Sequence, residues 1–367
     1  MASSPLSSQP VADVDLTPLA ALVARAFPDG RAHAHAPATR DRPLDCEAMP
    51  GGASTRKYFR VRLSGQSPAG TAIGMYVPDG LKADEVANGQ KPARWPFLEV
   101  RDLLASRGVA VPTVFAEDTA RGWVLLEDLG DDTLAVYLER EPARREAVYV
   151  RAVTDVAAAQ ARLEDLPAGC VVGSRAFDRD LLSWEIHHFR EWALEARGIA
   201  LTPADRAEYD GVAERLASRI AGWPRRFVHR DYQSRNLMVR GDGSLCWIDF
   251  QDALLGPRVY DLVALLNDSY QTFDRPFVEA RLDDYARAAG LDAQGRADLG
   301  REFDLVTVQR KLKDAGRFVF IDRVKHNPAF LKFVEPTIAK VRASLDRLAD
   351  DGDLRALSGL LARVLRA

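Results

Sequence analysis

HRDYQSRNLMVRGDGSLCWIDFQD, residues 229–252, decides the reading of this chain. Asp231 and Asn236 stand five apart in a loop-like stretch. Gly241-Asp242-Gly243 signals a tight turn between two short apolar runs. The spacing predicts antiparallel strands over 237–240 and 244–248, which sets Asn236 and Asp249 side by side at the open end. Three oxygen-bearing side chains then converge without any long-range contact. Two carboxylates and an amide oxygen suit a hard cation such as Mg²⁺, which keeps waters and takes phosphate oxygens as ligands. Phosphoryl transfer uses such a set: one carboxylate orients the attacking hydroxyl and accepts its proton, and a second carboxylate with an Asn carbonyl holds metal across the phosphates. The plainer reading makes Asp231 and Asn236 ordinary turn residues.

Outward from this stretch the chain divides in character. Before it lie short strand-like runs, YFRVRL (58–63), TAIGMYV (71–77), VPTVF (112–116) and GWVLLED (122–128), with one helical stretch over 97–107. A short amphipathic helix is predicted over 17–27. From Gly130 onward, 3.6-residue apolar periodicity dominates, over 141–164, 178–197, 203–221, 258–271, 276–289, 299–318 and 334–363. The expectation is an α+β fold in two lobes. Residues 1–128 form a small β-rich lobe with the N-terminal helix, and 129–367 form a larger helical lobe that contains the 227–250 β interruption.

Composition narrows the function. The 367 residues are 47% hydrophobic and 28% charged, enough to bury a sizeable core. A net charge of −3 argues against a general nucleic-acid binder, which needs a basic surplus. No apolar run approaches membrane-spanning length, and the N-terminus lacks the pattern of a signal peptide. Cys46, Cys170 and Cys246 are far apart, with neither disulfide nor zinc spacing, so a reducing cytoplasmic setting is expected. Nothing in the sequence asks for an obligate protein partner. The cations are uneven, 8 Lys against 42 Arg, and only Lys57, Lys82 and Lys91 precede residue 130.

The motif HRDYQSRN…WIDFQD…YDL resembles the aminoglycoside phosphotransferase and choline kinase-like branch of the protein-kinase-like superfamily. Several segments are similar to the bacterial anomeric kinases of N-acetylmuramate and N-acetylglucosamine: GGASTRKYFRV (51–61), GVAVPTVFAED (108–118), WVLLEDLGD (123–131), IDFQDALLGPRVYDLVALLNDSY (248–270) and QRKLKDAGRF (309–318). The resemblance implies ATP and Mg²⁺ as cofactors, Asp231 as catalytic base, and Asn236 and Asp249 as metal ligands. It implies that His229 braces the loop and that Asp261 anchors it. Ser54, Thr55, Arg56 and Lys57 fall in or beside a nucleotide-covering loop, where small residues let backbone N–H groups approach phosphate. Glu127 and Leu129 fall at a hinge whose main chain would meet adenine. Glu99 sits where such kinases carry the helix glutamate that pairs with a strand lysine, yet the strand TAIGMYV has no lysine. Arg56 or Lys57 is the expected substitute.

The acceptor pocket belongs to the helical lobe, beside Asp231. Asp268 is the candidate ligand of a sugar hydroxyl, Trp192 the candidate stacking face, and Arg310 and Lys313 candidate partners of an acceptor carboxylate or of the transferred phosphate. Core packing is the plain reading of Trp192, and a solvated helix end or face that of the other three. The expected activity is an ATP-dependent kinase acting on the anomeric hydroxyl of an N-acetylated amino sugar in cell-wall recycling. Two rivals stand beside it. An aminoglycoside or amino-alcohol kinase needs an acidic pocket, for which Glu185, Glu191 and Glu195 are available. A catalytically weak ATP-binding pseudokinase is favoured by the missing strand lysine and opposed by the complete Asp231, Asn236 and Asp249 set.

Overall fold

Period-two alternation along the N-terminal strands builds the smaller lobe. The computed structural model describes residues 14–28, 44–50, 56–63, 70–78 and 94–365. Helix α1 (Thr17–Ala26) precedes strands β1 (Cys46–Ala48), β2 (Lys57–Arg62) and β3 (Thr71–Tyr76). Helix α2 (Pro96–Ser106) is followed by β4 (Val114–Asp118) and β5 (Trp123–Glu127). The five strands form one antiparallel sheet in the order β1-β2-β3-β5-β4. Phe59, Val61, Ala72, Trp123 and Leu125 share one face and bury α1 through Leu19, Leu22 and Val23. Ile73, Met75, Val124 and Leu126 share the other and pack with Leu98 of α2. Gly74 is what lets α1 lie so close, because a Cβ there would stand 2.6 Å from a Leu19 methyl.

The remaining chain is α3 (Leu134–Arg140), α4 (Arg145–Arg162), α5 (Arg179–His188), α6 (Pro203–Ala221), β6 (Arg225–Val228), β7 (Leu237–Val239), β8 (Leu245–Trp247), β9 (Leu254–Pro257), α7 (Tyr260–Leu266), α8 (Arg275–Ala288), α9 (Ala293–Lys325), α10 (Val334–Arg347) and α11 (Gly352–Val364). The two-lobed α+β architecture is therefore as expected. One apolar core runs through the larger lobe and takes in Val100, Leu103 and Leu104 of α2. The sheet ends at Glu127, but packing crosses that line. Arg60 of β2 adds a polar tie, reaching Asp128 and Asp131 at 2.8 Å each. Burial raises the Asp128 carboxyl, and its bonds from Arg60 and the Gly130 N–H more than offset this and hold it below the usual value. Among the described residues no helix is long and apolar enough to cross a membrane.

Three differences from the sequence expectations have local causes. The predicted 178–197 helix ends at His188 and continues as a π-helical turn, Phe189–Leu194. Helix α9 crosses there at Gly316, where any Cβ would strike the His188 carbonyl. The predicted 334–363 helix is two helices, because Asp351 accepts from Asp353 N and Leu354 N and starts α11 anew. Strand β9 was not foreseen; it pairs with β6 through Phe227 opposite Leu255. Only this long-range partner distinguishes so short an apolar run from a loop.

Candidate active site

The hairpin expected around Gly241-Asp242-Gly243 forms, with Leu237 opposite Trp247 and Val239 opposite Leu245. The Ile248 N–H donates to the Asn236 carbonyl at 3.0 Å, extending the ladder by one rung. Asn236 and Asp249 therefore leave the open end together. The loop before β7 is held by Asp261 of α7. That buried carboxylate accepts the His229 and Arg230 backbone N–H groups at 2.7 and 3.0 Å. It fixes Arg230 in the left-handed region, φ 78°, a conformation that costs a non-glycine residue energy unless its surroundings enforce it. Burial pushes the Asp261 carboxyl up to about 7, against the two N–H donors that favour its charge.

His229 is fully buried and bridges loop and hairpin, its Nε2 3.0 Å from the Ile248 carbonyl. Its Nδ1 has no hydrogen-bond partner, so the ring carries its proton on Nε2 and donates it. Burial lowers its pKa to about 4, which keeps it neutral near pH 7. These contacts brace the loop and leave no ring nitrogen directed at a substrate. Asp231 has a partly exposed side chain on the cleft. Burial raises its carboxyl, but the charges of Arg310, Lys313 and Arg230 outweigh that and hold it below the usual carboxylate range. Asp231 is thus ionised and able to accept a hydrogen bond from a hydroxyl.

The donor set fits a hard divalent cation. Asn236 donates Nδ2–H to the Asp231 carbonyl at 2.8 Å, and this turns its amide oxygen toward the opening. Asp249 has φ 63° and a 44% exposed side chain, with Gln251 Nε2 bonded to its Oδ1 at 2.9 Å. One amide oxygen and one oriented carboxylate leave room for water and phosphate oxygens, as Mg²⁺ requires.

These groups line a cleft of about 820 Å³ between the lobes. Its lining includes the apolar Tyr58, Ile73 and Leu126 of the sheet, Leu129 of the segment joining the lobes, and Met238 of β7. From the larger lobe it also includes Arg235, Tyr270, Lys313, Arg317 and Lys325. Arg235 lies 3.7 Å from the Tyr270 ring centroid.

Several candidates take other places. Lys57 pairs with Tyr76 on the α1 face of the sheet and is exposed there, away from the cleft. Arg56 lies on the cleft, with Nη1 3.6 Å from Asp249 Oδ1. Ser54 and Thr55 lie outside the described residues. Glu127 lines the cleft, but its carboxylate accepts from Thr113 N and from Arg240 at 3.0 Å. Among the described residues no lysine pairs with Glu99; it accepts the Val171 N–H at 2.5 Å and so ties α2 to the larger lobe. Asp268 is fully buried, with Oδ2 taken by the Ser234 N–H and Oγ and Oδ1 by the Tyr270 N–H. It is not among the residues lining the cleft, so it shapes the loop instead of presenting itself to a sugar. Trp192 packs edge-on against Phe320 at 5.0 Å and does not line the cleft. Arg310 is fully buried behind Asp231, and Lys313 lines the cleft as expected. Asp252 also lines it, as do Arg235, Tyr270 and Arg317, and only folding reveals the last three. The WIDFQD run held a signal for Asp252, three positions after Asp249.

Residues 45–299 match the model of the phosphotransferase enzyme family. A protein of Pseudomonas putida named N-acetylmuramate/N-acetylglucosamine kinase is 32% identical over 312 residues, covering 83% of this chain and 85% of its own. One of the same name from Pseudomonas aeruginosa is 33% identical over 319 residues, covering 83% and 86%. Among solved structures, a choline kinase from Cryptosporidium parvum shares the fold with a TM-score of 0.61 at 11% identity, over 95% of this chain and all of its own. Two lobes, a braced HRD loop, a metal-competent hairpin and a match spanning most of the chain lead to one assignment: this chain belongs to the phosphotransferase enzyme family.

Proposed function

We propose that this chain is an ATP-dependent kinase that transfers the γ-phosphoryl group to the anomeric hydroxyl of N-acetylmuramate, N-acetylglucosamine or both, in cytoplasmic recycling of cell-wall sugars. The observation that carries the reading is the convergence of Asp231, Asn236 and Asp249 on one cleft whose lining joins apolar residues of the smaller lobe's sheet to cations of the larger lobe. The names of the relatives point to the same acceptors.

The chain's own residues perform distinct tasks. The slot formed by Tyr58, Ile73, Leu126 and Met238 takes the flat adenine by dispersion and water exclusion. Arg56, on the cleft just before β2, would meet phosphate charge from the N-lobe side in place of the missing strand lysine. Asn236 and Asp249 would hold Mg²⁺, which when bound neutralises phosphate charge. Asp231 receives the hydrogen bond of the acceptor hydroxyl and takes its proton as the new P–O bond forms and the bond to the departing ADP breaks. Holding the hydroxyl in line accounts for most of the advantage, since little covalent chemistry is left to the protein.

The wall around the acceptor favours an acid or neutral sugar over a polycationic antibiotic. Arg235, Lys313, Arg317 and Lys325 are among the cleft's lining residues. Of the glutamates considered for a polycation, Glu185 is buried against Gln309 and Glu195 pairs with Arg206, and neither they nor Glu191 lines the cleft. A coupled ADP-release assay over amino sugars, amino alcohols and aminoglycosides tests the reading, with the phosphorylated position read by NMR. Turnover on N-acetylmuramate or N-acetylglucosamine at C1 is expected. Turnover on kanamycin with neither sugar active overturns it, and binding of Mg-ATP with no acceptor turned over favours a scaffold.

A further inference from the structure

Asp231 is reached from behind by a side chain nearly 80 residues later in the chain. Arg310, on α9, is fully buried. Its Nη1 donates to the Arg230 carbonyl at 2.7 Å, and its Nη2 lies 3.3 Å from Asp231 Oδ1. One planar fork thus holds both the peptide that leads into Asp231 and one oxygen of its carboxylate. The opposite side of that peptide segment is held by Asp261, through the His229 and Arg230 N–H groups. The left-handed Arg230 is clamped from both sides.

The fork itself is fixed. The Arg310 guanidinium carbon sits 4.7 Å from the Tyr260 ring centroid, and Nε is 3.9 Å from Asp314 Oδ2. Behind it, Glu185 of α5 bonds Gln309 at 2.8 Å and approaches Arg230 Nη2 at 3.4 Å. Burying this many charges does little for stability by itself, because desolvation offsets the attraction. An apolar packing of similar volume would serve a purely structural need. The arrangement instead leaves one defined oxygen of Asp231 for a substrate.

We propose that Arg310 is a positioning residue for phosphoryl transfer: it locks one carboxylate oxygen of Asp231 so that the other is presented to the acceptor hydroxyl. This rests on the reading of Asp231 as the acceptor's base. Arginine is required for the geometry. Lysine retains the charge but has no rigid fork, so it cannot hold the Arg230 carbonyl and the Asp231 carboxylate in fixed relation.

The test is a double-mutant cycle on the full chain, with Arg310→Lys, Asp231→Asn and the pair, each assayed with Mg-ATP and the acceptor sugar. Arg310→Lys is expected to lower kcat by about 10–100-fold, the scale of a misplaced reacting group. KM for Mg-ATP should change by less than about threefold, since the lost interaction is made in the transition state. In the Asp231→Asn background the added Arg310→Lys change should cost almost nothing, because it acts through Asp231. Arg310→Lys with wild-type kcat overturns the proposal, as does an effect that is equally large in both backgrounds. Near-wild-type kcat in Asp231→Asn overturns the base assignment instead, which distinguishes the two failures. If Arg310→Lys does not fold, Arg310→Gln carries the same cycle, since it retains a planar donor without reach to both acceptors; the same outcomes decide.

Discussion

The two walls of the cleft are built on different principles. On the N-lobe side, the described lining is mostly apolar and carries one cation, Arg56. On the C-lobe side, Asp231, Asn236, Asp249, Lys313 and Arg317 crowd one surface, and each is oriented by a neighbour. A wall that grips an aromatic base needs shape and dryness, and a sheet face of Ile73 and Leu126 supplies both. A wall that moves a phosphoryl group needs charges held in place, which takes buried partners such as Asp261 and Arg310. On the function proposed above, the difference teaches that the missing strand lysine removes one contact from the wall that does least of the chemistry.

That contrast can be broken by mutation. The largest effect is expected at Asp231: Asp231→Ala should cut kcat by about 10²–10⁴, the usual worth of a positioned base. Mg-ATP affinity, read by calorimetry, should barely change. Asp249→Asn should follow, with kcat lower by about 10²-fold, a typical loss for one electrostatic element. Its activity should also need more Mg²⁺, seen in a metal titration; an unchanged titration would remove Asp249 from the metal site.

On the opposite wall the effect should be smaller and fall on binding. Arg56→Ala is expected to raise KM for ATP by about tenfold, near 1.4 kcal/mol for one charge-assisted contact. Lys57→Ala, on the α1 face, should leave that KM unchanged. Equal effects of the two would show that the sheet faces have been misassigned.

The last prediction is read in stability, not in activity, and concerns pH. His229 titrates near 4 when folded and at its ordinary 6.5 when unfolded. Between those values the unfolded chain binds the extra proton, so the contribution of His229 to stability falls as pH drops through 6.5 toward 4 and levels off below, while Asp261, pushed up to about 7, contributes in the opposite direction. Denaturant titrations across this window should show a shallower slope for His229→Asn than for the wild type. An identical slope would mean that His229 is not held neutral.

Much of the site was legible because it is local. The turn at Gly241-Asp242-Gly243 ties Asn236 to Asp249 through a three-rung ladder, and no distant residue is needed to infer it. The anchoring role expected for Asp261 also agrees with its two backbone bonds. Asp268 misled for an instructive reason. A carboxylate at a helix end reads as solvated, and only the folded loop brings Ser234 N–H and Oγ onto it. Glu99 stands in α2 as expected, and only folding shows its partner, a backbone amide of the other lobe.

The sequence by itself determined the two-lobed α+β layout and pointed to the Asp231, Asn236 and Asp249 set as the candidate site, because alternation, periodicity and a hairpin turn act over a few residues. Tertiary structure alone decided which cation faces the cleft, Arg56 or Lys57, and which side chain of α9 backs Asp231. Those choices depend on the face a strand turns toward its neighbours and on where a 33-residue helix crosses the catalytic loop. Both follow from how distant apolar surfaces pack together, and spacing along the chain carries no record of that.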